Sequence, residues 1–348
     1  MSTLVCPVLL ATTGLFVPKL AVSGSVAGGI DTMAVIPGFD SKIGGEKFIE
    51  ILRCANIAHA EPSANFCPAD RSLVKARRER GMMANSGLAA ASLLGKKLAI
   101  PGTAALFDFR VGPEGNIGRD VHEAEQAEEM FLKVGASLGI HVATIKTDNR
   151  VFPCSALGRL ESLDLLWGIL NNSNRLLSLD QIHMQTCCAL ATEARRLVNG
   201  RLDTTSSNQE LLRLLSSGAM LKTFDTHLEV QGASVDGLTE VLEIYSQQVV
   251  FPFYSRGRGY WSPPDLGLAK NWVKREQKRA QEQRRSLGND PRVQVGLRLI
   301  RAPGDFVQEG ETVVEVRYPA GFSPLAVPQD FAGGIVDHPI ASIKQILQ

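Results

Sequence analysis

The sequence predicts an α/β protein that gives way to a C-terminal α+β unit. Three observations predict it: short apolar runs separated by glycine turns in residues 1 to 60, a strand–helix–strand order across residues 104 to 148, and alternating patterns after about residue 225. At 348 residues the chain exceeds the usual size of one unit, about 100 to 200 residues, so at least two domains are expected. We place them at 1–224, with a helical insertion at about 69–99, and at 225–348.

Each element has a local reason. The run from Leu4 to Val22 is apolar, but Pro7, Gly14, Pro18 and Lys19 interrupt it, so it reads as buried helix and strand rather than a targeting segment or a membrane span. A helix is expected around Glu46 to Ala55. SGLAAASLLGKKLA, residues 86 to 99, has helical spacing, with Pro101 and Gly102 as its stop. AALFDFRVG (104 to 112) suits an interior strand. A helix follows, in which Asp120 caps with Glu123 three residues on and Ala124, Ala127, Phe131 and Val134 form the apolar stripe. IHVATIKTD (140 to 148) completes a parallel crossover unit, whose ligands gather at the carboxyl ends of the strands. Helices are expected at 157–171, 180–198 and 207–218. Beyond them, THLEVQG (226 to 232) and VQVGLRLI (293 to 300) alternate like strands, and GDFVQEGETVVEV (304 to 316) reads as hairpins shaped by Gly304 and Gly310.

Composition excludes several classes of function. Lys plus Arg number 37 and Asp plus Glu 36, so net charge does not select a polyanionic partner, and any electrostatic signal is local. Six cysteines without a C-x-x-C spacing describe no disulfide framework and fit an intracellular, reducing compartment; no membrane association is expected. The scattered histidines offer no metal-ligand spacing, so no metal site and no cofactor are assigned. Cys187 and Cys188 lie on an apolar helix and read as packing residues.

Six segments in order carry a resemblance. They are VSGS…AGGIDTMAVIPGFD (22 to 40), CPADRSLVKAR (67 to 77), AASLLGKKLA (90 to 99), LFDFRVGPEG (106 to 115), VGASLGIHVATIKTD (134 to 148) and VGLRLIRAPGDFVQEGETVVEV (295 to 316). Together they resemble the thymidine and pyrimidine-nucleoside phosphorylases over nearly the whole chain from residue 5. The resemblance implies a nucleoside-phosphorylase-like α/β domain with a remnant helical lobe and a C-terminal α+β domain. It also implies a pyrimidine pocket of Arg77, Ser92 and Lys96. The spacing suits that role, because residues i and i+4 project from one helical face and Ser92 and Lys96 can converge on one ligand edge. Phosphate would be a co-substrate, and only in an active enzyme.

The departures from the family weigh against catalysis, so no catalytic residue is assigned. Family members begin with a helical lobe and a glycine loop, containing lysine and serine, that cradles phosphate; the resemblance here starts after both. The family's G-x-G-H-T-G-G turn shortens to GSVAGG (24 to 29), with Val26 and Ala27 near the expected histidine. Arg110 replaces a lysine. The late glycine-rich stretch becomes LAKNWVKREQKRAQEQRRSLG (268 to 288), where Lys270 to Arg285 holds seven basic residues against Glu276 and Glu282. Such a segment is a candidate nucleic-acid or acidic-partner contact through Lys274, Arg275, Lys278 and Arg279. The expectation is a non-catalytic structural or interaction subunit of a larger, ribonucleoprotein-like assembly, with a protein partner covering the shortened lobe. The alternative is an active pyrimidine-nucleoside phosphorylase with a rebuilt phosphate site or a complementing second chain.

Overall fold

The computed structural model describes every residue except 65, 84, 101, 175, 286, 287, 326, 339–345, 347 and 348, so the expected stop at Pro101 lies outside the described residues. The chain begins with α1 (Ser2–Thr12), β1 (Val17–Leu20), α2 (Gly29–Met33), α3 (Gly45–Ala55) and β2 (Ile57–Ala60). Next come α4 (Pro68–Glu79), α5 (Ser86–Ala99), β3 (Ala104–Val111), α6 (Val121–Ser137), β4 (His141–Asp148) and β5 (Ala156–Leu157). Five helices follow: α7 (Arg159–Leu170), α8 (Ser178–Asn199), α9 (Thr204–Ser216), α10 (Ala219–Val230) and α11 (Val235–Ser246). The C-terminal part holds β6 (Val249–Tyr254), β7 (Gly259–Ser262), α12 (Leu266–Arg284), β8 (Gly296–Leu299), β9 (Phe306–Val307), β10 (Thr312–Tyr318) and β11 (Gly334–Val336).

The crossover unit forms as its sequence requires. Asp120 accepts a hydrogen bond from Glu123 N (2.8 Å), α6 buries Ala124, Ala127 and Phe131, and β3 and β4 pair in parallel from Ala104↔His141 to Val111↔Asp148. β1 and β2 make a second parallel pair, Val17↔Ile57 to Leu20↔Ala60. The larger sheets are C-terminal, in the orders β5-β8-β10-β6 and β11-β7-β9.

Two expectations of extended structure are corrected. THLEVQG runs from the last turns of α10 into the turn after it, because Phe224, His227 and Leu228 repeat at helical spacing and bury into the first core. Gly304 and Gly310 do adopt left-handed turns, with φ of 87° and 82°, but β9 pairs with β7 while β10 pairs with β6 and β8, so the expected hairpin does not form. The sequence supplied the turns and left the partners open.

Four apolar clusters organise the molecule. The largest unites α1, α2, α7, α8, α10 and α11, so residue 225, the expected division, falls inside a helix of this cluster. A second gathers α12 and the C-terminal strands and takes in Phe152, Leu157 and Leu179 from the N-terminal part. A third lies under β3, α5 and α6, where Ala89, Ala90 and Leu94 of α5 are buried while Leu98 stays exposed. The smallest joins β1, β2 and α3 to Ile100, at the end of α5. Among the described residues, no helix is long and apolar enough to cross a membrane.

Glu161 of α7 sits where the first cluster meets β8. It is 1% exposed, and a Cβ added at Gly158 or Gly296 would meet its carboxyl group and force it to shift, so glycine at both positions makes room for it. Burial raises its pKa to about 7. A carboxyl group whose folded pKa lies above its unfolded value contributes stability that is complete below the unfolded pKa and is lost as pH rises through the folded one. We therefore expect stability to fall by roughly 3 kcal/mol between pH 4.5 and pH 8 from this residue alone. Urea titrations across that range should show the fall in the parent and a flatter profile in Glu161→Gln.

Candidate functional site

The predicted pyrimidine residues come together around a carboxylate that motif reading passed over. Pro68 at the first helical position starts α4, which carries Asp70 in its first turn and Arg77 in its last. Asn85 caps α5 by accepting from Leu88 N (2.9 Å), which sets the register that places Ser92 and Lys96 on one face. Lys96 Nζ donates to Asp70 Oδ2 (2.9 Å) and to Ser92 Oγ (2.8 Å), and Ser92 Oγ donates to Asp70 Oδ1. All three are buried, at 5%, 4% and 2% exposure for Lys96, Asp70 and Ser92.

Arg77 stands beside this triad and, among the described residues, makes no ion pair. Its guanidinium donates to Met82 O (3.5 Å) and Met83 O (2.5 Å), in the loop between α4 and α5. Burial lowers the Lys96 pKa, and the Asp70 charge pulls it back up. The cluster therefore offers an ammonium, a guanidinium and a hydroxyl within one buried corner, which is donor chemistry suited to ring carbonyls. Asp70 is not singled out in the sequence; its position seven residues before Arg77, on the same helical face, is the signal that could have found it.

The shortened glycine turn is filled from within. Gly24 N and Ser25 N donate to Asp31 Oδ1 and Oδ2 at 2.7 and 3.0 Å, the geometry by which successive backbone N–H groups hold an anion. Arg159 at the start of α7 closes the arrangement, 3.3 Å from Asp31. Burial raises the Asp31 pKa, and the two N–H groups and Arg159 oppose that rise. Val26, near the family's histidine position, packs against the C-terminal cluster.

Helix α12 is half core and half solvated. Leu266, Ala269, Trp272, Val273 and Ala280 are buried. Arg275 and Arg279 both turn to Glu276, which is 0% exposed and also accepts from Leu325 N (2.9 Å), and Arg279 stacks over Phe322 at 5.5 Å. Lys274 is exposed, and Lys278 lies 3.6 Å from Glu282. Of the four predicted contact residues, Lys274, Arg275 and Lys278 are thus exposed, and the two arginines hold a buried carboxylate.

No family model matches the chain. The pyrimidine-nucleoside phosphorylase of Geobacillus stearothermophilus is 24% identical to it over 324 residues, spanning 90% of this chain and 71% of that protein. The pyrimidine-nucleoside phosphorylase of Staphylococcus haemolyticus is 27% identical over 320 residues, and that of Staphylococcus aureus 25% over 324, with the same shares covered.

The buried Asp70–Lys96 pair makes a stability prediction. Asp70→Asn leaves an ammonium buried without its counter-charge and should cost about 3–5 kcal/mol in urea unfolding. Asp70→Asn combined with Lys96→Met should recover much of that loss, because neither charge then remains.

Proposed function

Starting from this chain's kinship with the pyrimidine-nucleoside phosphorylases, we propose that it binds the pyrimidine ring of a nucleoside at Arg77, Ser92 and Lys96, as a pentosyltransferase of that type. The observation that carries the reading is the convergence of Ser92, Lys96 and Asp70 in one buried cluster with Arg77 alongside. Lys96 Nζ would donate its third N–H to a ring carbonyl while keeping Asp70 and Ser92, and Ser92 Oγ would accept from ring N3–H. During glycosidic cleavage the leaving base gains negative charge, which an adjacent ammonium and guanidinium stabilise. Phosphate enters as co-substrate, and the chemistry calls for no cofactor.

A second reading, a non-catalytic structural or interaction subunit, is favoured by the Asp31 carboxylate that already occupies the glycine-turn N–H groups. In that reading Lys274 and Lys278 would lead any contact with an acidic or nucleic-acid partner.

Incubation of the chain with thymidine, uridine or deoxyuridine and excess phosphate should release free base above a boiled control. Calorimetry should show pyrimidine affinity falling at least about tenfold in Lys96→Ala, since a hydrogen bond to a charged group contributes about 1.5–3 kcal/mol. Binding without base release would leave the second reading standing. Equal affinity in parent and Lys96→Ala would remove the pyrimidine site itself.

A further inference from the structure

A cavity of about 560 Å³ opens between β4, α8 and α9, and neither α4 nor α5, which carry the pyrimidine cluster, lines it. Its place follows from strand alternation. Thr144 and Lys146 of β4 both bond Glu128 of α6, so Ile145 between them turns to the opposite face and forms one wall. Gln185, Ala189 and Thr192 follow at helical spacing along one face of α8, and Thr204, Thr205 and Asn208 do so in the first turns of α9.

Two buried polar atoms in this lining lack a partner. Thr192 is 7% exposed, and among the described residues its Oγ1 makes no hydrogen bond, although Thr186 on the same helix bonds back to Ile182 O at 3.0 Å. Asn208 Oδ1, on the other helix, is likewise buried and unpaired among the described residues. Glu193 adds a held acceptor, since Arg196 donates to its two oxygens at 2.7 and 2.5 Å, which fixes the carboxylate and leaves lone pairs on both. What the lining lacks narrows the ligand further. Among the described residues it holds no lysine, arginine or aromatic ring, and Asp203 occupies the N-terminus of α9 by accepting from Thr205 N (3.0 Å). An anion therefore meets no counter-charge in the lining, and a nucleobase has no ring to stack on.

We propose that this cavity binds a neutral, hydroxyl-rich ligand of the sugar or polyol class. Adjacent hydroxyls would donate to Glu193 and to Asn208 Oδ1, and Thr192 Oγ1 would bond a third. Solvent does not reach Thr192 Oγ1 or Asn208 Oδ1, so the ligand draws both side chains toward it and supplies the hydrogen bonds they lack. The volume suits a mono- or disaccharide. The site goes beyond the proposed function, with which it shares no residue.

Calorimetry on the full chain with D-ribose, myo-inositol and sucrose tests the site, since sugars raise the Tm of any protein by exclusion from its surface and only a saturable heat reports binding. Saturable binding of at least one of the three is expected. Its affinity should fall at least about threefold in Thr192→Val and about tenfold in Glu193→Gln, the difference between a neutral and a charge-assisted hydrogen bond. Without sugar, Thr192→Val should keep or raise the Tm of the parent, because the hydroxyl it removes has no partner among the described residues. No saturable binding of any of the three, or equal affinity in the parent and both variants, overturns the proposal. Should Thr192→Val fail to fold, Glu193→Gln decides alone: weakening there sustains the site, and equal affinity overturns it. Base release and pyrimidine affinity depend on other residues, so failure of the proposed function leaves this result untouched.

Discussion

A largely buried guanidinium ties the N-terminal glycine turn to the loop before β8, and the placement of those segments depends on it. Arg159 reaches Asp31 and Ser25 O, both at 3.3 Å, on one side, and Gly288 O and Gln294 Oε1 on the other. An arginine cannot shed its charge to ease burial, so it is tolerated only where carbonyls and a carboxylate surround it. Its planar fork dictates the distance between the segments it joins. The turn at Ser23 to Gly29, the start of α7 and the loop before β8 are therefore placed relative to one another by one side chain.

The other buried charges follow the same logic with different partners. Asp70 is matched by Lys96 and Ser92, and Glu276 by Arg275, Arg279 and Leu325 N, whereas no other described residue hydrogen-bonds either oxygen of Glu161. For a ligand at the pyrimidine cluster, this means that binding adds to an arrangement already made. Lys96 gives two of its three N–H groups to Asp70 and Ser92, so a ring carbonyl would take the third.

Much of the fold was legible because its signals are local. The α5 register, the Asp120 cap and the β3–α6–β4 crossover all follow from spacing within one or two turns. What escaped was long-range. Strand alternation in residues 226 to 232 looked extended because the burying partner, α1, lies two hundred residues away, and the pairing of β9 with β7 is a choice among sheets that no local pattern encodes. At the site, Ser92 and Lys96 came from the family resemblance, which their i and i+4 spacing suits, while Asp70 and Arg159 act across elements. The basic run in α12 is visible as a charge excess, but no local pattern shows that Arg275 and Arg279 pair with Glu276.

The pairing of β5 with β8 has a consequence in time. Ala156 pairs with Arg298 and Leu157 with Leu297, so the C-terminal sheet is bordered by a strand made long before its neighbour. At synthesis rates of about 5–20 residues per second, β5 waits on the order of ten seconds for β8 to emerge. Throughout that interval Phe152 and Leu157 lack most of the C-terminal cluster that buries them in the finished fold. A growing chain thus exposes an apolar strand edge beside the future Arg159 junction, and the ribosome-bound intermediate, more than the finished protein, is the species that must be kept from pairing with its copies.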